Sequence, residues 1–172
     1  HSVETFLNHP LIDTVRVVIG SGHEPLYEAA LAGLDVAPPV AGGATRQESV
    51  RRGLEALAAA MPDKVLIHDA ARPLVGADVI ARVVRALDSA PAAVAALPVV
   101  DTLRAERGGT VDRNGVWQVQ TPQGFRFAEI LAAHQGAAGD DATDDATLAE
   151  RAGIPITLVE GSMSNLKVTR PG

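Results

Sequence analysis

An acidic and a basic side chain follow directly on an apolar run of the sequence. Asp69 and Arg72 come at or just beyond the end of 64–68, which has the length and composition of a buried strand. Ligands of open α/β sheets bind beyond the carboxyl ends of the strands. A carboxylate there can hold Mg²⁺ together with substrate phosphate oxygens, and an arginine fork can clamp a phosphate. The alternative is that Asp69 caps the following turn and pairs with Arg72.

A glycine pair precedes a predicted helix. Gly42 and Gly43 are followed by Thr45 and Glu48, which have the spacing of a capping box, so we expect a helix to start at Thr45. Backbone N–H groups beside glycines can approach a ligand closely, and the helix N-terminus adds partial positive charge near Arg46. A nucleotide phosphate or a base edge fits such a place. The loop can equally be structural, and it is not a P-loop, since no Gly-Lys-Ser/Thr follows.

Other polar clusters carry weaker signals. Segments 111–123 and 164–171 offer cations and hydroxyls at loop edges, and either can be a turn with a solvated charge. Four aspartates flank Thr143 without the spacing of a calcium loop, and we expect a solvated helix-start cluster there: Asp140, Asp141, Asp144 and Asp145. No metal-ligand spacing joins His1, His9, His23 and His134. No Gly-x-Ser-x-Gly elbow supports a serine hydrolase.

Apolar periodicity predicts the elements that position these residues. Segments 15–19 and 64–68 are typical of interior parallel strands, a helix begins at Thr45, 78–87 has one apolar helical face, and 92–100 is strand-like. Alternation of strand and helix implies right-handed crossovers and a parallel core.

The alternation breaks between residues 97 and 120. This stretch is polar and rich in turns at 104–109, and 116–119 can pair back as a strand, so we interpret it as a protruding β-arm or hairpin. The remaining predicted elements are a helix at 127–134, an acidic loop at 136–145, a helix at 146–152 ended by Gly153, and strands at 156–159 and 166–168.

Length and composition restrict the class of protein. The 172 residues favour one domain, and a core of aliphatic side chains follows from 47% hydrophobic but only 3% aromatic residues. The net charge of -6 without a basic block argues against nucleic-acid and membrane-surface partners. The chain has no cysteine, which excludes disulfides and thiolate zinc sites, and no apolar run reaches about 18 residues. We expect a cytoplasmic protein.

Six motifs, taken in order, resemble those of one family. They are GGxxRQxSV at 42–50, HDAARP at 68–73, DT at 101–102, VDRNGxW at 111–117, TPQ at 121–123 and NxKVTRP at 165–171. This set is similar to that of the 2-C-methyl-D-erythritol 4-phosphate cytidylyltransferases. The resemblance runs from the first residues of the chain to the last, and several ordered motifs are far more specific than any one of them.

The resemblance implies a fold and an assembly. The fold would be a Rossmann-like α/β domain of the nucleotide-diphospho-sugar transferase type, with a mostly parallel sheet and a protruding β-arm. The domain would span 1–172, and 97–120 would be the arm that exchanges between the subunits of a homodimer with shared active sites. The chain would lack the family's N-terminal glycine-rich loop and its C-terminal helix. Some relatives continue into a second enzymatic domain.

The resemblance also implies roles for individual residues. Asp69 would lie close to Mg²⁺ and the reacting phosphates. The cytidine pocket of CTP would be lined by Gly42, Gly43, Arg46, Ser49 and Ala70. The methylerythritol phosphate would be surrounded by Arg72, Thr102, Thr121, Thr143 and Lys167, and Arg113 would reach it from the partner's arm. Asp69, Arg113 and Lys167 are the expected catalytic residues.

The implied reaction is attack of the acceptor phosphate on the α-phosphorus of CTP, with release of pyrophosphate. Positioning and charge neutralisation supply the catalysis in reactions of this type. One alternative is a ribitol-phosphate cytidylyltransferase, which resembles this family in fold and motifs. The other is a catalytically inactive nucleotide-binding or dimerisation fragment.

Overall fold

Helices and strands alternate along residues 2–98, as the apolar patterns predict, and the alternation breaks after residue 98. The structure is a computed structural model that describes residues 1–137 and 142–169. Its helices are α1 (Ser2–Leu7), α2 (Glu24–Ala30), α3 (Arg46–Leu57), α4 (Ala77–Ala86), α5 (Phe127–Gly136) and α6 (Asp145–Arg151). Its strands are β1 (Val18–Ile19), β2 (Val40–Ala41), β3 (Lys64–Ile67), β4 (Ala92–Pro98), β5 (Leu103–Arg104), β6 (Thr110–Val111), β7 (Trp117–Arg126) and β8 (Thr157–Glu160).

The central sheet is mixed. Its four strands lie in the order β3-β7-β4-β8, with β4 and β8 parallel and β7 antiparallel to both of its neighbours. Three of the four strands therefore run in one direction, and the α/β class is confirmed. Strands β1 and β2 pair in parallel as a separate short sheet.

The prediction that 64–68 forms an interior parallel strand is wrong. Strand β3 pairs with β7 alone among the described strands, and that pairing is antiparallel. The physical reason is the arm: the chain leaves β4, reverses through β5 and β6, and returns as β7 between β3 and β4. The prediction for 15–19 holds only in part, since β1 is parallel to β2 but has no second neighbour among the described strands.

Helices cover both faces of the sheet. One apolar cluster joins α1 and α4 to the sheet through Phe6, Val79, Val83 and neighbours. The other joins α3, α5 and α6 to the opposite face through Leu54, Ile130, Ala149 and neighbours. Ala93 and Ala95 of β4 belong to the first cluster and Ala92 to the second, as the two-residue period of a strand requires. Small alanines in the central strand allow both helical layers to approach it closely.

The helix starting at Thr45 is confirmed. The Thr45 hydroxyl caps α3 by accepting a hydrogen bond from the Glu48 N–H at 3.1 Å, and the Glu48 carboxylate accepts one from the Ala44 N–H at 2.9 Å. These bonds satisfy N–H groups that have no partner inside the helix.

The arm is confirmed as a hairpin, with β5 and β6 paired antiparallel to each other. It is shorter than 97–120, because 97–98 belong to β4 and 117–120 to β7.

The predicted strand at 166–168 is absent from the described part of the chain. This segment belongs to no helix or strand, and the Val168 N–H donates to the Ala71 carbonyl at 2.8 Å. That bond fastens the segment to the turn after β3. The predicted acidic loop 136–145 lies partly outside the described residues, and its two ends belong to α5 and α6.

Gly124 of β7 tests how closely α4 packs on the sheet. A Cβ at this position would lie 2.6 Å from Val83 Cγ1 and 2.9 Å from Leu87 Cδ1, both fully buried. We expect Gly124→Ala to lower the free energy of unfolding by about 1–3 kcal/mol through overpacking. Gly136→Ala, where a Cβ meets nothing within 4 Å, is the control and should not destabilise. Urea midpoints at unchanged m-value measure both, and equal midpoints for the two variants would contradict the packing.

Candidate active site

A cleft of about 220 Å³ lies beyond the carboxyl end of β3. It is lined by Arg46, Asp69, Arg72, Val119, Gln120, Thr121, Gln123, Thr143, Asp144 and Lys167. These residues come from the start of α3, the turn after β3, strand β7, the start of α6 and the C-terminal segment. The sequence motifs at 42–50, 68–73, 121–123 and 165–171 are far apart in the chain, and all four contribute to this one cleft.

Asp69 is the centre of the cleft's charge. One of its carboxylate oxygens accepts a hydrogen bond from Arg46 Nη2 at 3.2 Å, and the other accepts one from Lys167 Nζ at 2.8 Å. Its side chain is 18% exposed. The alternative that Asp69 pairs with Arg72 is not observed, because the Arg72 side chain donates elsewhere and only its backbone N–H turns back to the Asp69 carbonyl.

The two cations decide the charge state of Asp69. Burial alone would raise the pKa of this carboxyl, but the hydrogen bond from Lys167 and the charge of Arg46 outweigh burial and hold the pKa below its usual range. Burial likewise opposes the charge on Arg46, and the carboxylates of Asp145 and Asp69 more than offset it, so the pKa of Arg46 is raised. At Asp69 an ionised carboxylate therefore lies between two cations.

A hydrogen-bond chain fixes the backbone of Asp69. The Asp69 N–H donates to Thr121 Oγ1 at 3.0 Å, and Thr121 Oγ1 lies 2.9 Å from His68 Nδ1. His68 Nε2 lies 3.0 Å from the Arg72 carbonyl, which can only accept, so Nε2 carries the proton and the Thr121 hydroxyl donates to Nδ1. Burial lowers the pKa of His68, which agrees with this neutral ring. The Thr121 hydroxyl, which is expected beside the acceptor substrate, thus donates its hydrogen bond to His68.

Arg72 is also tied to the protein. Its guanidinium donates to the Asn165 carbonyl at 2.7 Å and the Val119 carbonyl at 3.4 Å, while its Nε is buried without a partner among the described residues. Asn165 is fully buried and donates to the Thr121 carbonyl at 2.8 Å. Arg72 therefore lines the cleft and at the same time fastens the C-terminal segment, which carries Lys167, against β7.

The glycine loop packs on its own helix. The Gly43 N–H donates to Ser49 Oγ at 3.0 Å, and that hydroxyl donates to the Thr45 carbonyl at 2.9 Å. A Cβ at Gly42 would lie 2.8 Å from Ser49 Oγ, and one at Gly43 would overlap the Glu48 side chain at 2.2 Å. The glycines are required for this packing, so a structural role is established, while the cytidine role remains a prediction. Ala70 is exposed in the turn after β3.

Two expected site residues lie on the arm instead. Thr102 and Arg113 line a second cleft of about 270 Å³ with Thr110, Val111, Asp112 and Asn114, and Arg113 Nη1 donates to the Val100 carbonyl. No described residue lines both this cleft and the Asp69 cleft. Within one subunit the expected catalytic set is therefore divided, with Asp69 and Lys167 together and Arg113 apart.

The aspartate cluster differs from its prediction. Asp144 is the N-cap of α6, accepts from the Thr147 N–H at 2.8 Å, and receives a hydrogen bond from Gln123 at 2.9 Å. Asp145 is only 1% exposed and pairs with Arg46 and His134, so the expectation of a solvated cluster is wrong for it. Thr143 lines the cleft as expected. Asp140 and Asp141 lie outside the described residues.

Sequence reasoning missed several polar residues that build the site. His68, Gln123, His134, Asp145 and Asn165 all hold cleft residues in place. Gln123 and Asn165 stand inside motifs that were noticed, but nothing in their spacing indicates that their side chains are buried. His134 and Asp145 are 11 residues apart on different helices, so only tertiary packing brings them together.

Known folds resemble this architecture. A 2-C-methyl-D-erythritol 4-phosphate cytidylyltransferase from Thermus thermophilus superposes with a TM-score of 0.86 and 41% identity, covering 99% of this chain and 81% of that one. The bifunctional IspDF of Campylobacter jejuni gives a TM-score of 0.81 at 25% identity, covering 96% of this chain and 42% of that one. The fold and the cleft define the class of the protein as an α/β nucleotidyltransferase domain.

Sequence comparison gives the family. The family model for 2-C-methyl-D-erythritol 4-phosphate cytidylyltransferase matches residues 1–172, and the chain belongs to this family. Similar curated relatives are the bifunctional enzymes IspD/IspF of Paramagnetospirillum magneticum, 50% identical over 98% of this chain, and of Rhodospirillum rubrum, 49% identical over 98%. The chain spans about 45% of the length of each of these two relatives. Among residues 1–137 and 142–169, no helix is long and apolar enough to cross a membrane.

The depressed pKa of Asp69 predicts a pH dependence of stability. Its folded pKa lies below the unfolded value of about 3.9, so its ion pairs stabilise fully above that value and are lost as pH falls through the folded pKa. We expect the difference in free energy of unfolding between the unsubstituted protein and Asp69→Asn to be constant above about pH 5 and to shrink below about pH 4. Urea titrations between these limits and below measure it. A difference that stays constant into strong acid would contradict the ion pairs.

Proposed function

We propose that the chain transfers CMP from CTP to 2-C-methyl-D-erythritol 4-phosphate with release of pyrophosphate, a step in isoprenoid precursor biosynthesis. One observation carries the proposal: Asp69 lies between Arg46 and Lys167 in a cleft at the end of β3, and all three residues stand in motifs of the family. A carboxylate flanked by two cations is suited to substrates whose phosphates carry several negative charges. The acidic balance of the whole chain makes such a local cluster necessary.

The reaction needs positioning and charge neutralisation. An oxygen of the acceptor phosphate attacks the α-phosphorus of CTP, a new phosphorus–oxygen bond forms, and the bond to the bridging oxygen of pyrophosphate breaks. Lys167 and Arg46 would move from Asp69 onto phosphate oxygens and stabilise the charge that develops there. No side chain needs to form a covalent intermediate. Gly42, Gly43, Ser49 and Ala70 would face the nucleotide, and Arg72, Thr121 and Thr143 the acceptor.

Magnesium fits this site only together with the nucleotide. Among the described residues no group of three or more His, Cys, Asp or Glu side chains converges on one point, and the carboxylates that line the cleft are Asp69 and Asp144, of which Asp69 lies between the two cations. Mg²⁺ is commonly held by one or two carboxylates, water and substrate phosphates. When bound, the ion would neutralise phosphate charge. Each oxygen of Asp69 accepts one hydrogen bond from a cation and keeps a further lone pair with which it could contact the ion.

The arm supports a homodimer with shared active sites. Among the described strands β5 and β6 pair only with each other, and apolar side chains at the arm and its base are exposed: Val100, Val111, Val116, Trp117 and Val119. Exposed apolar groups of this density are typical of interaction surfaces. Arg113 stands on this arm and is separated from the Asp69 cleft, so a second subunit is the means by which it would reach the acceptor phosphate. A cytoplasmic location remains a prediction from the sequence.

The activity has a direct test. We expect the full-length protein to release pyrophosphate from CTP when Mg²⁺ and methylerythritol 4-phosphate are present, and not when ribitol 5-phosphate replaces that acceptor. Lys167→Ala should lower turnover about 100-fold, since it removes a cation from the reacting phosphates. Lys64→Ala is the matched control, because Lys64 pairs with Asp88 outside the cleft. Release with ribitol phosphate alone would support the alternative acceptor, and silence with both would support an inactive fragment.

The shared site has its own test. We expect Arg113→Ala and Lys167→Ala each to lose activity, and a mixture of the two variants to recover part of it, because one of the two sites in a mixed dimer would be intact. Arg107→Ala, at another exposed position of the arm, is the control for arm folding and should remain active. Subunit exchange followed by a turnover assay measures the recovery. Full exchange without recovery would contradict a site built from both subunits.

A further inference from the structure

A buried pair of polar side chains lies behind the cleft. Asp145, the first residue of α6, and His134, near the end of α5, are each 1% exposed, and His134 Nε2 lies 3.1 Å from Asp145 Oδ1. A carboxylate oxygen can only accept, so Nε2 carries the proton and donates it. His134 Nδ1 is buried and has no hydrogen-bond partner among the described residues. The ring's polar contact is therefore directed at Asp145 alone.

The second oxygen of Asp145 points back to the cleft. Asp145 Oδ2 accepts from Arg46 Nη2 at 2.8 Å, which is shorter than the 3.2 Å from the same nitrogen to Asp69 Oδ1. Two carboxylates thus share one nitrogen of Arg46. Arg46 lines the cleft and its side chain is 36% exposed. Among the described residues, its Nε and Nη1 donate no hydrogen bond to a side chain. Those remaining donors are available to a ligand in the cleft.

A buried carboxylate at this place calls for a reason other than stability. Burying an ion pair costs desolvation that its attraction barely repays, and apolar replacements are often as stable. The other buried residues of α6 are apolar, namely Ala146, Leu148 and Ala149. What an apolar pair would lose is the hold on Arg46, because without Asp145 the guanidinium would be free to settle on Asp69, its other carboxylate partner.

We propose that His134 and Asp145 are positioning residues for Arg46, and that they hold its Nη2 so that its other donors face the triphosphate. His134 acts through Asp145, because its hydrogen bond to Oδ1 orients the carboxylate with Oδ2 toward Arg46. The proposal rests on the proposed function, because it assigns Arg46 to the CTP phosphates. Neither residue touches a reacting atom.

The variants are chosen to separate the contact from the packing. His134→Leu fills a similar volume and removes the donor, whereas His134→Gln places an amide N–H near the former Nε2. Asp145→Asn keeps the shape but removes the charge, and serves as a second disruptive variant if His134→Leu folds poorly. Leu148→Ala is the structural control. Leu148 is a buried residue of α6 without a polar contact to Arg46, and its truncation leaves a cavity.

Two measurements on the full-length protein are needed. The first is CTP affinity, measured by calorimetry in the presence of Mg²⁺. We expect affinity to fall about tenfold in His134→Leu and Asp145→Asn, because each variant loses a hydrogen bond to a charged group. In His134→Gln and Leu148→Ala we expect affinity to change less than about threefold. The second is the ¹⁵N signal of the Arg46 guanidinium without nucleotide, assigned with Arg46→Lys. It should move in the two disruptive variants and stay in the other two.

The outcomes distinguish the two proposals. If the unsubstituted protein binds CTP and all four variants bind it equally, the positioning role is overturned and the proposed function is not. If Leu148→Ala loses as much CTP affinity as His134→Leu, His134 and Asp145 contribute through packing alone, and the positioning role is contradicted. If the unsubstituted protein does not bind CTP, the proposed function fails, and the Arg46 signal alone still decides whether His134 sets the position of the guanidinium.

Discussion

The ion pairs of Asp69 with Arg46 and Lys167 are the contacts on which the site depends. The three residues are 23 and 98 positions apart in the chain, and they meet because α3, the turn after β3 and the C-terminal segment converge at one edge of the sheet. One cation alone would offset less of the cost of burying the negative charge of Asp69. With both cations present, the ion pairs hold all three side chains in place without a ligand. In the proposed function, phosphate oxygens of the substrates would take over contacts that Asp69 makes with these two cations, which already stand close to where the charge develops.

Much of the surrounding structure serves to hold these charges. The backbone of Asp69 is fixed by Thr121 and His68, and the C-terminal segment is fastened by Arg72 and Asn165. These supporting residues are buried or half-buried, and most of their polar atoms have a partner, as the cost of burying polar groups demands; Arg72 Nε and Asn165 Oδ1 have none among the described residues. Arg72, which the sequence predicts to contact substrate, therefore also has a structural role. Arg72 lines the cleft, yet its donors are also what keeps Lys167 within reach of Asp69.

The arm explains both the sheet and the division of the site. By reversing the chain between β4 and β7 it inserts an antiparallel strand into an otherwise parallel arrangement, and it leaves a small hairpin with exposed apolar side chains outside the core. The same reversal places Arg113 apart from Asp69. One structural feature thus accounts for a mixed sheet and for the distance between Arg113 and the other two residues expected to be catalytic.

Local structure and the available chemistry could be predicted from the amino-acid sequence. The capping pair of Thr45 and Glu48 defined where α3 begins and apolar periodicity located α4 and β4, because these signals act over a few residues. The ordered motifs indicated charges of one site through a family resemblance, and of those charges Arg113 lies apart from Asp69 and Lys167. Strand direction and side-chain burial required the three-dimensional fold. Nothing near 64–67 reveals that an antiparallel strand from 117–126 becomes its neighbour, and an aspartate in an acidic run looks solvated until α3 and α5 close around it. Long-range packing sets the neighbours and the dielectric surroundings of a group. Asp145 is therefore buried and paired with Arg46, although its sequence context predicts a solvated side chain.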